Sequence, residues 1–485
     1  MMPLRDSQQY MESLRDGREV YIHGERVEDI TKHPSLRKAI DHGAIDYELD
    51  KRTELRDLLV TRSPRTGNEI RRYFELPRTA EDLLRRQELI ETTTRNGGSV
   101  VIFMKEIGTD ALNAFNMICY EMDNKLGTGY SDRVARYRQY LEENDLSMSG
   151  AVTDVKGDRK LRPSQQEMPD YYLRVIDRGR DGVVVRGAKM HTTSAPITNE
   201  LIILPTRAMT ESDKDYCIAF GIPVNTKGVK IISRPERGDL GVFDYPLSSR
   251  HVTLEALTIF DDVFVPKERI FMDGEWEFAG ALANCFATWH RFTGISYKYP
   301  FAELMIGAAT LISDYNGVPM ASHIQDRITE LVIYAQSIKT FGRAAALECV
   351  ITESGIAYPN PLLCNIGKYI FAANYHASMK ALQEVAGGLV VTGPTEADCR
   401  NPATRGFIEK YLGGRRGADA ISRLKVMKLI RDMGSTEGAG EWWVGTLHGE
   451  GSLQAQRLSI SREFDVKKCV DYVKSLLEID GKSRT

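Results

Sequence analysis

At 485 residues the chain exceeds one ordinary compact core and predicts two or three core-forming segments. With 42% hydrophobic and 27% charged residues the composition is globular, which excludes a mainly disordered or collagen-like chain. Lys+Arg 64 against Asp+Glu 67 leaves a formal net charge of -3, so no global basic field draws nucleic acid or an anionic membrane, and neither is expected as a partner.

The first segment, 1–140, reads mainly as helix. TAEDLLRRQELIETTTRNG opens with Thr79 and, three residues on, Asp82, a capping-box variant, and closes on Gly97 and Gly98. Farther on, DALNAFNMICYEMDNKL sets Leu112, Phe115, Ile118, Cys119 and Met122 on one face of an amphipathic helix. From 141 to 272 the texture turns to short Val- and Ile-rich runs split by turn residues, among them GVVVRGAKMH, NELIILPT, YCIAFGIPV and ALTIFDDVFVP. No helical spacers separate them, so an antiparallel sheet or small barrel is expected rather than a parallel α/β sheet. From 273 to 485 the spacing is helical again, predicting a bundle. The expected order is helix, β, helix, in three packed segments without low-complexity linkers.

Seven cysteines, at 119, 217, 285, 349, 364, 399 and 469, make no disulfide framework: their number is odd and the nearest two are 15 apart. No CxxC, HxxxH or HExxH occurs, so no metal site is expected, and the thiols read as small buried hydrophobes. The N-terminal MMPLRDSQQYMESLRDG is charged from Arg5 onward and lacks the apolar stretch of a signal peptide. Nowhere do about 18 apolar residues run on, and a cytoplasmic protein is expected.

Four strings carry candidate chemistry. AVTDVKGDRKLRPSQQ brings Thr153, Lys156, Gly157, Asp158, Arg159 and Gln165 into one loop, offering donors to a planar polar ligand, although a solvated surface loop reads similarly. GxGxxG and GxxxxGK[ST] are both absent, so a nucleotide would not sit on a Rossmann or P-loop frame. RGAKMHTTSAPITNELIILPT ends a strand with His191, Thr192, Thr193 and Asn199, which either line a pocket or satisfy their own backbone. WHRFTGISYK places His290 and Lys298 about two turns apart on one helix, and these two with Glu255 make a proton-transfer set if they converge. EVAGGLVVTGPTEAD carries Gly387 and Gly388, either a helix C-cap or a close approach to a ligand, and LHGEGSLQAQR is equally ambiguous.

Taken together, VTDVKGDR, GVVVRGAKMHTTSAPITNE, WHRFTG, AGGLVVTGPTEAD and HGEGSLQAQR resemble a flavoprotein family in order and over nearly the whole chain. It is the family that holds 4-hydroxybutyryl-CoA dehydratase and the oxygenase component of 4-hydroxyphenylacetate 3-monooxygenase, and the dehydratase branch looks closer. The resemblance implies an α+β, acyl-CoA-dehydrogenase-like fold, with FAD between the β-domain and the C-terminal bundle of a homotetramer. It places flavin contacts at Thr153, Lys156, Gly157, Asp158, Arg159, Gln165, His191 and Thr193, with Gly387, Gly388 and Thr392 reaching the flavin from a partner chain. His290, Glu255 and Lys298 match catalytic positions of the dehydratase, whereas its active-site Tyr falls at Gly294 and a C-terminal Glu at Thr446.

The dehydratase's [4Fe-4S] cluster needs three Cys and one His. The His matches His290, but the Cys positions fall at Ile102, Glu106 and Tyr297, so the cluster is expected to be missing. Substrate-binding Arg and Tyr of the monooxygenase fall at Ile107 and Ala111, and its His at Gly150. Ile102, Ile107 and Ala111 are therefore expected to make an apolar pocket wall. The expected activity is a cluster-free, FAD-dependent oxidoreductase or isomerase that abstracts a proton next to the carbonyl of an acyl-CoA-like substrate. The alternative is a reduced-flavin monooxygenase of a phenolic or heteroaromatic substrate, served by a separate flavin reductase.

Overall fold

Local sequence accounts for the first two long helices of the computed structural model, which describes residues 4–236 and 239–479. Helix α1 (Ala80–Asn96) opens on the predicted cap: Thr79 accepts from the Asp82 amide, the Asp82 carboxylate accepts from the Thr79 amide, and Gly97 closes the helix. Helix α2 (Glu106–Leu126) buries Leu112, Phe115, Ile118, Cys119 and Met122, the predicted face. It starts four residues before the predicted Asp110, and residues 106–115 are all buried, because this end runs through the middle of the molecule. Helix α3 (Tyr130–Glu143) packs antiparallel to it after a short connection.

The β-region forms two sheets. In chain order the strands are β1 (Glu19–Ile22), β2 (Glu25–Val27), β3 (Met148–Ala151), β4 (Arg174–Arg178) and β5 (Gly182–Lys189). They continue as β6 (Glu200–Ile203), β7 (Ile218–Pro223), β8 (Val229–Ser233), β9 (Ala256–Pro266) and β10 (Ile270–Asp273). A six-stranded sheet runs β2-β1-β8-β9-β5-β4 and a four-stranded sheet β10-β7-β6-β3. Neighbours are antiparallel as predicted except for two parallel pairs, β1 with β8 and β3 with β6. Both parallel partners come from the first segment or its border, and they reach the sheet by long crossovers that the spacing of the β-runs does not reveal.

The first segment is thus not one helical body. Val20 and Ile22 are buried while Glu19 and Tyr21 are half-buried, a four-residue alternation too short to stand out in the sequence. Tyr10, Leu36, Ile40 and Tyr47 share a core with the strands, whereas Leu83, Leu89 and Phe115 share the core of the C-terminal helices. Those helices are α4 (Trp276–Tyr315), α5 (Ser322–Leu347) and α6 (Pro361–Ala386). At 40 residues α4 is about 60 Å long at 1.5 Å per residue, enough to pass the β-region and cross the bundle. After it come α7 (Ala420–Gly434), α8 (Glu437–His448) and α9 (Leu453–Glu463).

Gly108 lets α2 lie against β3, since a Cβ there would stand 2.4 Å from the Cβ of Met148. Gly108→Ala is expected to cost about 1–3 kcal/mol, the range for overpacking a close-packed core, read as a lower denaturant midpoint with an unchanged slope.

Candidate active site

A cavity of about 1670 Å³ opens between loops of the β-region, the start of α2, the middle of α4 and the α8–α9 corner. Its shape follows from three anchored pieces of chain.

The first is the 151–166 loop. Asp154 is buried and pairs with Lys189 at 2.7 Å, while also accepting from the Thr206 hydroxyl and, at 3.1 Å, from the Leu173 amide. Held at that point, the chain turns through positive φ at Lys156 and Gly157, and Thr153, Lys156 and Arg159 line the cavity. Arg162, Arg207, His191 and Thr193 line it as well. Among the described residues Lys156, Arg159 and Arg207 have no ion-pair partner, so this end offers cations to a phosphate-bearing ligand. Burial and the nearby Arg159 draw the Lys156 ammonium below its usual range, as expected of a cation awaiting an anion. The remaining loop residues act locally: the Asp158 carboxylate accepts from the Lys160 amide, the Gln165 amide oxygen from the Arg162 amide, and Gly157 backs onto Gln166 and Tyr171. Asn199 holds Ser147, Arg5 and Ser13 together and stands outside the cavity lining.

The second piece is β9 and the residues before it. Glu255 lines the cavity; its Oε1 accepts from the Thr193 hydroxyl at 2.9 Å, and its Oε2 is buried with no partner among the described residues. Burial raises this carboxyl from 4.5 to about 7, with the Thr193 hydrogen bond opposing.

The third piece is α4 with the chain that packs on it. His290 Nδ1 lies 3.1 Å from Asp110 Oδ2, and the other oxygen of that buried carboxylate accepts from Arg86 and Thr293 at 2.7 and 2.8 Å. With a carboxylate as acceptor, His290 donates through Nδ1, and Asp110 leaves Nε2 unengaged. Phe286, one turn earlier, stacks on the ring at 5.3 Å. Lys298 sits one layer back from the cavity, donating to Tyr297 Oη at 2.7 Å and pairing with Glu450 at 2.8 Å. Lys368 pairs with the same carboxylate at 3.2 Å, and the Tyr297 hydroxyl donates to it. Two ammoniums hold Glu450 ionised, far below the usual carboxylate range despite its burial, while burial pulls Lys298 down from 10.5 to about 7. One buried carboxylate neutralises only one of two buried ammoniums, and the surplus charge favours loss of a proton from the lysine pair.

Glu450 is the residue that sequence reasoning missed, having assigned the matching carboxylate position to Thr446. It lies between Gly449 and Gly451 at φ 54, a strained conformation for a side-chain-bearing residue, and Arg291 Nε donates to its carbonyl at 3.0 Å. An acidic residue between two glycines at a helix junction was the available signal. The departure at Gly294 has its reason here as well: a Cβ at 294 would lie 2.8 Å from the Glu450 carboxyl carbon. Absence of a side chain at 294 is what admits the carboxylate.

The positions assigned to the missing cluster's cysteines at the entry to α2 do not line the cavity, but their neighbours do. Ile102 points into the β-side core and Glu106 accepts from the Tyr73 hydroxyl, whereas Phe103 and Ile107 face the cavity with His290 and Tyr297. Phe103 packs edge-on against Tyr297 at 5.3 Å. Ala111 is buried in the helical core, so of the expected wall residues Ile107 alone lines the cavity. No thiol stands at these places, and the residues do not fit an iron–sulfur cluster. Cys119 donates to the Phe271 carbonyl, Cys285 contacts Met117, and neither lines the cavity. Among the described residues no group of three His, Cys, Asp or Glu side chains is placed to hold a metal ion.

Gly387, Gly388 and Thr392 lie at the surface, where Gly387 caps α6 with φ 79, and they do not line this chain's cavity. Also among the described residues, no helix is long and apolar enough to cross a membrane.

Comparison with known proteins covers the whole molecule. The family model for the 4-hydroxyphenylacetate 3-hydroxylase N terminal matches residues 6–272, and that for the C terminal matches 279–478. The 4-hydroxybutyryl-CoA dehydratase/vinylacetyl-CoA-Delta-isomerase of Clostridium aminobutyricum is 34% identical over 490 residues, 98% of this chain and 100% of its own. An oxygen-tolerant archaeal 4-hydroxybutyryl-CoA dehydratase from N. maritimus superposes with a TM-score of 0.93 at 34% identity, covering 100% of this chain and 97% of that one. The oxygenase component of 4-hydroxyphenylacetate 3-monooxygenase complexed with FAD gives 0.89 at 25% identity, with 98% of both chains covered. An acyl-CoA dehydrogenase from Slackia heliotrinireducens, at a TM-score of 0.51 and 13% identity over 95% of this chain and 96% of that one, shares the fold alone.

Proposed function

Because the chain belongs to the 4-hydroxyphenylacetate 3-hydroxylase family, we propose that it is an FAD-dependent oxidoreductase or isomerase acting next to the carbonyl of an acyl-CoA-like substrate. The observation that carries this reading is Glu255: a cavity-lining carboxyl with one oxygen free and a proton affinity near neutrality, in the same cavity as the oriented base His290. Bound FAD supplies a site that takes up or returns a hydride or an electron at the carbon next to the deprotonated one. The cavity fits it in volume and donor set, with Thr153, His191 and Thr193 beside Lys156, Arg159 and Arg207, cations without an ion-pair partner among the described residues. Gly387, Gly388 and Thr392, exposed on this chain, complete the site from a partner in a homotetramer.

The chain's own groups divide the work. Glu255 or His290 Nε2 removes the proton. The Lys298, Lys368 and Glu450 group holds the Tyr297 hydroxyl in place at the cavity wall. Glu255 returns the proton at the distal carbon in an isomerisation. The dehydration performed by relatives is outside this proposal, because the residues at the expected cluster site offer no ligand to take up a leaving oxygen.

A reduced-flavin monooxygenase is the second reading, favoured by the aromatic wall of Phe103, Phe286 and Phe301 and by the resemblance to an oxygenase component. Such an enzyme draws its reduced flavin from a separate flavin reductase. The purified protein is expected to show a flavin spectrum with no iron–sulfur shoulder and to isomerise vinylacetyl-CoA without oxygen. Oxygen consumption with reduced FAD and a phenol, in the absence of that isomerisation, selects the second reading. Iron at about four per subunit sinks the cluster-free assignment.

A further inference from the structure

The segment just before β9 carries His251, a cavity-lining residue whose ring meets the buried ring of His42 edge-on, with centroids 5.2 Å apart. The two Nδ1 atoms are 3.2 Å apart, and His42 Nε2 lies 3.2 Å from the Val101 carbonyl oxygen. These contacts determine where the protons are. A carbonyl only accepts, so His42 is protonated on Nε2. Burial and the neighbouring His251 press His42 from 6.5 down to about 3, and burial and Arg250 press His251 to about 4, so both rings are neutral near pH 7. A neutral His42 protonated on Nε2 has only a lone pair on Nδ1, and the proton between the rings therefore belongs to His251 Nδ1. His251 is left with a lone pair on Nε2 that meets no donor among the described residues. The ring has little freedom to turn away. Gly98, at φ +68, backs onto it so closely that a Cβ would stand 2.4 Å from His251 Cδ2.

We propose that His251 is an acceptor residue of the cavity: its Nε2 takes a hydrogen bond from an N–H or O–H of the bound flavin or of the substrate. His42, which does not line the cavity, is the positioning residue that holds the tautomer. The proposal deepens the flavin reading above and rests on it. Three variants test it, His251→Phe, His251→Gln and His42→Phe, each titrated with FAD and then, in the FAD-loaded protein, with vinylacetyl-CoA followed by the change in the flavin spectrum. If the flavin donates, His251→Phe weakens FAD binding about 10-fold, the size of one lost hydrogen bond, and leaves vinylacetyl-CoA binding unchanged. If the substrate donates, the pattern reverses. His251→Gln, which keeps an acceptor, recovers part of the loss, and His42→Phe loses affinity in the same arm as His251→Phe.

Histidine 15N spectra of the wild-type FAD-loaded protein give a measurement that does not depend on the variants folding. They are expected to show one ring protonated on Nδ1 and its neighbour on Nε2. Protonated Nε2 on His251, or affinities of His251→Phe for both ligands within two-fold of wild type, overturns the proposal. A wild-type protein that binds no FAD overturns the reading of the cavity, and the spectra then still report the tautomers by themselves.

Discussion

Glu450→Ala is expected to destabilise the protein by about 3–5 kcal/mol, the range for breaking a buried ion pair by removing one partner. The side chains of Lys298, Lys368 and Glu450 are each at most 1% exposed, so the two ammoniums lose a desolvated, charged partner when the carboxylate is removed. Denaturant titration followed by tryptophan fluorescence and circular dichroism measures the loss. Both lysines then lose the group that favours their charge, and part of the cost is relieved as they shed protons on folding. In the variant, stability should therefore rise with pH through the neutral range more steeply than in wild type. The sign follows from linkage: a lysine held below its unfolded value releases a proton on folding, which is favoured at higher pH. Removing the surplus charge is the control. Lys368→Met combined with Glu450→Gln should cost less than Glu450→Ala alone, because one buried cation has gone with its partner. Equal losses from Glu450→Ala and from a surface carboxylate substitution would remove the triad from the account of stability.

Glu255→Gln is expected to lower turnover by about 10²- to 10⁴-fold, the contribution of a positioned general acid or base, while FAD affinity stays close to wild type. The amide keeps the shape and the acceptor for Thr193 but cannot exchange a proton. In wild type the rate is expected to rise with pH to a limb near 7, as Glu255 ionises, and the variant loses that limb. Stability carries the same group with a definite sign. The folded protein binds this proton more tightly than the unfolded chain, so the carboxyl costs stability as pH rises from its ordinary 4.5 through about 7. The difference in stability between wild type and Glu255→Gln should therefore grow over that interval and level off above it. A pH-independent difference together with unchanged turnover would exclude Glu255 as the proton-transfer group and shift that role to His290.

The residues around the cavity were legible in the sequence to different depths. His290 and Lys298 stand on a long helix whose spacing puts them on one side, Glu255 just before β9 was named by the family resemblance, and the loop from Thr153 to Arg159 is marked by its composition. Glu450 was not legible, because its role depends on a vacancy at Gly294 made 156 residues earlier in the chain and on Arg291 tying down a strained corner. That Phe103 and Ile107, rather than Ile102 and Glu106, line the cavity was also hidden. A helix entry rotates its side chains by about 100° per residue, and only packing against β3 and α4 shows which positions turn toward the cavity.

By itself the sequence determined the order of helix, β and helix, the capped start of α1, the buried face of α2 and the family, since each rests on local patterns or on motifs spread over the whole chain. Tertiary structure decided what depends on distant pieces meeting. The first strands join a sheet strand 211 residues later in the chain, Glu19 pairing with Lys230. Two lysines on α4 and α6 share one carboxylate from the α8–α9 corner. A carbonyl at Val101 determines which nitrogen of His251 is free. Burial and pairing set the proton affinities of these groups, and both are properties of the folded neighbourhood rather than of the residue.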